Sequence, residues 1–102
     1  MTTSIEYNTD LALYSHEEFK KGRKKLEECL PEELTVGSSH PFLKVGHRNY
    51  AINSTVTLLE IKKFDVLFQM RAQVEIVEAF FLLDEDQSYT RGTYIITEIL
   101  TD

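Results

Sequence analysis

Val66 to Leu83 reads VLFQMRAQVEIVEAFFLL, and its first eleven residues alternate. Val66, Phe68, Met70, Ala72, Val74 and Ile76 take one side; Gln69, Arg71, Gln73 and Glu75 take the other, with Leu67 the one break. A period of two over that length predicts a β-strand with one face in a core and one in water. After Ile76 the alternation slips: Val77, Ala79, Phe81 and Leu83 become the odd set and both faces turn apolar. Such a slip predicts a β-bulge, or a place where both faces are covered.

The flanks are read relative to this strand. Thr55 to Ile61 is rich in β-branched residues and predicts a strand, in preference to a helix capped by Ser54 with Leu58, Ile61, Phe64 and Phe68 at near-helical spacing. Lys62 to Asp65 is then the turn into the central strand. On the far side, Asp84 to Gly92 reads as a connecting loop and Thr93 to Leu100 as a last strand. Toward the N-terminus, residues 4–14 read as short extended pieces with Leu11 and Leu13 on one face. Ser15-His16-Glu17-Glu18 has the form of a capping box, with the Ser15 hydroxyl accepting from the Glu18 N–H and the Glu18 side chain reaching back. A helix is expected from there to Leu30, with Phe19, Leu26, Cys29 and Leu30 on its apolar face and Pro31 ending it. Gly22 lies on that face and predicts either a close approach to the sheet or a break. In residues 31–53, Leu34 to Val36 and Phe42 to Val45 read as short strands, Gly37 to Pro41 as a loop and Gly46 to Asn49 as a turn. The expected fold is a single α+β domain over residues 1–102: one capped N-terminal helix packed on a mostly antiparallel sheet, or small barrel, of four to six strands.

With 42% apolar residues, 102 residues suffice for a real core. Eleven lysines and arginines against 17 acids give a net charge of −6, which disfavours the whole surface as a polyanion binder but leaves a local basic patch open. One cysteine, Cys29, excludes an intramolecular disulfide and favours a reducing compartment. MTTSIEYNTD has neither the basic start nor the apolar run of a signal peptide, and the longest apolar run, Ala79 to Leu83, is far below the ~20 residues a membrane-spanning helix needs. A soluble, cytoplasmic protein is expected.

The candidates for chemistry are few. Lys20 to Lys25 (KKGRKK) is the one charge run: a phosphate or nucleic-acid contact, or a solvated helix face with Glu17–Lys21, Arg23–Glu27 and Lys24–Glu28 paired at i,i+4. Asp84-Glu85-Asp86-Gln87-Ser88 opens like a calcium loop, but Tyr89 stands where a glycine is required and Ile95 where a bidentate glutamate belongs, so an acidic hairpin loop is the reading. His16, His40, His47 and Cys29 share no metal-ligand spacing, and no metal or cofactor is expected. Cys29, on the apolar face at a helix C-terminus, reads as a packed thiol. No nucleophile elbow, no Walker loop and no carboxylates paired at a recognisable catalytic spacing are present.

Gly22-Arg23-Lys24-Lys25-Leu26-Glu27 resembles the G-x-K-x-x-E element of the ASCH family, small β-barrels related to PUA domains. Phe42-Leu43-Lys44-Val45-Gly46 resembles that family's turn into a barrel strand. The resemblance implies nucleic-acid binding, with Lys24 and Glu27 as groove residues, and requires Lys24 to Leu30 to be a strand. Cys29 replaces the arginine expected after the glutamate, and His47 stands where the turn has an acid.

Two functions follow as expectations. The first is a small acidic, non-enzymatic protein-interaction module (adaptor, inhibitor or chaperone-like). It would act through a strand edge and an acidic face, with Arg71, Gln73, Glu75, Asp84, Glu85 and Asp86 as the contact surface. Its double-sided apolar strands, Val77 to Leu83 and Tyr94 to Leu100, would be covered by a protein partner or a second copy in a homodimer. The alternative is a PUA/ASCH-like nucleic-acid-binding domain using Lys20, Lys21, Arg23, Lys24 and Lys25. A third, an enzyme with a pocket near His40 and His47, rests on their position in the loop-rich region alone.

Overall fold

A computed structural model describes residues 6–63 and 67–100 of the chain. In order they form β1 (Asp10–Tyr14), a short helix α1 (His16–Lys20), one 3-10 turn (Leu26–Glu28), β2 (Ser39–Val45), β3 (Thr55–Lys63), β4 (Leu67–Asp84) and β5 (Gln87–Ile99). The strands make one sheet in the order β1-β3-β4-β5-β2. β1 runs parallel to β3, and the other pairs are antiparallel. The sheet curls into a half-barrel in which 57% of the described residues are strand and 9% are helical.

The α+β expectation is overturned: among the described residues no helix packs on the sheet, and α1 has no buried residue. The cause lies at Gly22, which adopts φ +74°. The Gly22 N–H donates to the Phe19 carbonyl and the Arg23 N–H to the Glu18 carbonyl, closing α1 as a Schellman motif after five residues. Of the two readings of Gly22, the break is the one realised. At the other end Ser15 does cap the helix, but its hydroxyl accepts from Glu17 N–H at 3.3 Å rather than from Glu18. Cys29 does not end the expected long helix; it closes the Leu26–Glu28 3-10 turn in an extended conformation and is bridged to Tyr14. Leu34 to Val36 forms no strand, and β2 begins at Ser39, inside the expected loop.

β4 runs as its alternation predicts, but two bulges reset its faces. Arg71 is an extra residue between the pairs Leu59↔Met70 and Leu58↔Ala72, and Val77 is another between Ile76↔Tyr94 and Glu78↔Thr93. Between them Ala72, Val74 and Ile76 are fully buried. A one-residue slip exchanges the faces of everything beyond it. Phe68 and Met70, expected in the core, are therefore 44% and 59% exposed, while Glu60 of β3 turns inward and is buried beside Arg71 and Lys62. The slip after Ile76 is the bulge that the sequence predicts.

The concave face gathers Leu11, Leu13, Phe42, Tyr50, Val56, Leu58, Tyr94 and Ile96 around that trio, with Leu30 joining from the loop. Gly92 sits under the Phe42 ring: a Cβ there would lie 2.8 Å from the ring and 2.0 Å from the Glu78 carbonyl oxygen, so no side chain fits. The expected loop over residues 84–92 shrinks to Glu85 and Asp86, because β5 starts at Gln87. The expected Lys62–Asp65 turn is strand at Lys62 and Lys63, and its remainder lies outside the described residues.

Candidate functional site

The half-barrel has three edges: β1, β2, and the far end of β4. β1 presents its outer carbonyls to donors from elsewhere in the chain. Asp10 O accepts from the Tyr50 hydroxyl at 2.8 Å, Ala12 O from the Lys44 ammonium, and Tyr14 O from the Leu30 N–H at 2.8 Å. This edge is closed to a further strand. β2 carries Pro41, which has no N–H to donate, a device that blunts edge strands.

The end of β4 is different. Its pairing with β3 stops at Glu75, and a last pair of bonds ties Ile76 to Asn53 and Ser54. From Glu78 to Asp84 it pairs with β5 alone. Among the described residues, no hydrogen bond from outside that ladder reaches the backbone of residues 77–84. Phe80, Phe81 and Leu83 are exposed along this overhang, Leu83 at 75%. The ring of His47 stacks on Phe81 at 4.5 Å.

A cleft of about 510 Å³ lies along the seam where the edges β1 and β2 approach one another. Its floor is apolar, from Leu59, Ile61 and Phe68, and its walls carry Lys24, Lys44 and Arg48 with Asp10 and Glu28. Smaller clefts of about 330 and 210 Å³ lie outside the hairpin, by Lys25, Glu27 and Arg91, and beneath Phe81.

The expected site residues do not assemble into one place. Arg71, Gln73 and Glu75 lie in the middle of β4 and are partly engaged: Arg71 Nε is 3.6 Å from the carboxylate of Glu60, and Gln73 donates to the Thr57 hydroxyl at 3.1 Å. Asp84, Glu85 and Asp86 are exposed at the hairpin tip, nine residues of strand and thus roughly 30 Å further on. The basic run wraps around the end of α1. Lys20 pairs with Glu17 and Glu32 at 3.7 and 3.8 Å, Arg23 pairs with Glu18 at 3.5 Å, and Lys24 lies 4.4 Å above the Tyr14 ring. Lys21 and Lys25 are exposed. The i,i+4 pairs are absent among the described residues because the helix that would hold them stops at Lys20; Glu27 pairs instead with Arg91 at 3.0 Å. Lys24 and Glu27 line two different clefts, and Leu26 to Glu28 is a 3-10 turn rather than a strand.

The histidines stand apart. His16 Nδ1 contacts the Leu30 carbonyl at 3.1 Å, and His40 Nε2 lies 2.9 Å from the Ser38 hydroxyl. His40 and His47 line none of the three clefts. Burial, reinforced by the neighbouring Glu28 carboxylate, pushes the Cys29 thiol up, so it is a packed group at ordinary pH. Among the described residues no three ligating side chains gather in a way that could hold a metal ion, and no helix is long and apolar enough to cross a membrane. Sequence reasoning missed both the overhang and the seam cleft. The overhang had a signal in the doubly apolar Val77–Leu83; the cleft depends on the Arg71 bulge and had none.

No family model, no curated protein and no solved structure matches this chain. The resemblance to the ASCH family therefore rests on the quoted dozen residues alone.

Proposed function

We propose that the protein is a non-enzymatic interaction module that takes up an extended segment of a partner protein along the overhanging edge of β4. The observation that carries this reading is the stretch of β4 beyond Ile76 that pairs with β5 on one side and, among the described residues, with no strand on the other, bordered by exposed Phe80, Phe81 and Leu83. Added strands gain affinity from main-chain hydrogen bonds and specificity from alternate side chains, and an open edge with apolar flanks supplies both. Asp84, Glu85 and Asp86 at the tip favour a segment with basic residues at that end. The single buried thiol suits a reducing compartment, and the cytoplasm is where we place the protein.

The test uses the full chain as bait in lysate of its source cell, beside a Phe80→Asp/Leu83→Asp variant. Both side chains are exposed, so the variant keeps its fold, as circular dichroism would verify. The expected outcome is a specific polypeptide whose recovery drops at least tenfold with the variant and whose binding slows deuterium exchange across residues 77–84. Equal recovery with both baits, or protection elsewhere, would overturn the reading. Fluorescence anisotropy with labelled RNA and DNA at low salt tests the nucleic-acid alternative. Saturable binding abolished by changing Lys20, Lys21, Lys24 and Lys25 to glutamate would put that function in front.

A further inference from the structure

We propose that the seam cleft between β1 and β2 is a binding site for a small amphiphilic monoanion, a carboxylate or sulfonate on an aromatic or aliphatic body. This rests on observations independent of the β4 edge. The cleft's volume of about 510 Å³ lies within the range of sites that enclose small organic ligands, and such sites pair an apolar floor with a few converging polar groups. Here the floor is Leu59, Ile61 and Phe68. Phe68 faces the cleft because the bulge at Arg71 turns it out of the core, and bulges that re-aim a side chain are frequent beside functional sites.

The charges define the ligand's head. Lys24 and Arg48 line the cleft with no carboxylate within 4.0 Å among the described residues, although Lys20, Arg23, Lys62, Arg71 and Arg91 all have one. Both are held in place. The Lys24 ammonium rests over the Tyr14 ring, and Arg48 donates its Nε–H to the Val45 carbonyl and its backbone N–H to the Thr90 hydroxyl. The terminal nitrogens of Arg48 thus stay available for a planar acidic group. Asp10 and Glu28 on the walls set the charge: against Lys24, Lys44 and Arg48 they leave one net positive charge. That balance fits one negative charge and leaves the further charges of a polyphosphate or a nucleic-acid backbone without a counter-charge beside Asp10 and Glu28.

The probe is 1-anilinonaphthalene-8-sulfonate, an aromatic monoanion that brightens in apolar surroundings. With the full chain we expect saturable binding at one site per chain, with shifts of backbone amide resonances in β1, β3 and Leu43 to Arg48. Affinity should fall at least tenfold in a Lys24→Gln/Arg48→Gln variant and be unchanged in Phe80→Asp/Leu83→Asp. Decanoate should compete, and inorganic phosphate should not. Both changed cations are only partly buried, and amide spectra of the free variant report its fold directly. Unaltered binding in the Lys24→Gln/Arg48→Gln variant, resonance shifts confined to residues 77–84, or no saturable binding would each overturn the proposal.

Discussion

His40 shows how a single side chain in this fold couples to pH. The Ser38 hydroxyl donates its one proton to the Thr35 carbonyl at 2.6 Å, so it can only accept from His40, which must carry its hydrogen on Nε2. Packed beside the Tyr94 ring, the imidazole is partly desolvated, and burial lowers its pKa below the usual 6.5. Between the lowered value and 6.5 the unfolded chain binds more protons at this site than the folded one. Stability from His40 is then complete above pH 6.5 and is lost as pH falls through the folded value. Urea unfolding at pH 7.5, 6.5 and 5.5 should show a steeper acid loss for the native chain than for His40→Gln. Differencing the two removes the carboxylates common to both, and parallel slopes would show that the ring is not held neutral by folding.

At the scale of the element, the β4–β5 hairpin turns on two non-glycine residues in the left-handed region, Glu85 at φ +47° and Asp86 at φ +68°. Two such residues in succession form the two-residue turn whose twist suits a hairpin, and Asn-Gly is its preferred sequence. Left-handed backbone costs an ordinary residue roughly 1–2 kcal/mol, so Glu85→Asn with Asp86→Gly should stabilise the chain by about 1 kcal/mol, read from its thermal midpoint. In the proposed interaction these two acids supply charge at the tip, which Asn and Gly would remove. The same variant should then hold its proposed partner more weakly while unfolding later. A lower midpoint would mean the turn is of another kind. The helix offers the reverse lesson: Ser15 and Gly22 bracket it with a cap and a Schellman glycine, and the charged residues beyond Gly22 lie outside it.

At the scale of the whole molecule, what the sequence made legible was strand identity, and what it hid was registry. The alternation of β4, the β-branched run of β3 and the Leu11/Leu13 pair in β1 are local signals, and each became the strand it implied. The Arg71 bulge is set by how β3 and β4 align, so Phe68 and Met70 could not be seen to face outward. The parallel pairing of β1 with β3 and the seam closed by Lys44 join residues more than thirty positions apart, and no periodicity records them. The same pairing order leaves β4 overhanging, and this has a measurable consequence. In a ribbon paired on one side only, alternate amides point into the ladder and the rest point out. Amide exchange in the free chain should therefore be slow at Val74, Ile76, Tyr94 and Ile96, which lie in the core, and should alternate between slow and fast from residue 77 to residue 84. Uniform protection across 77–84 would mean that the edge is already covered. If that protection faded on dilution, the cover would be a second copy of the chain, because only an intermolecular contact responds to concentration.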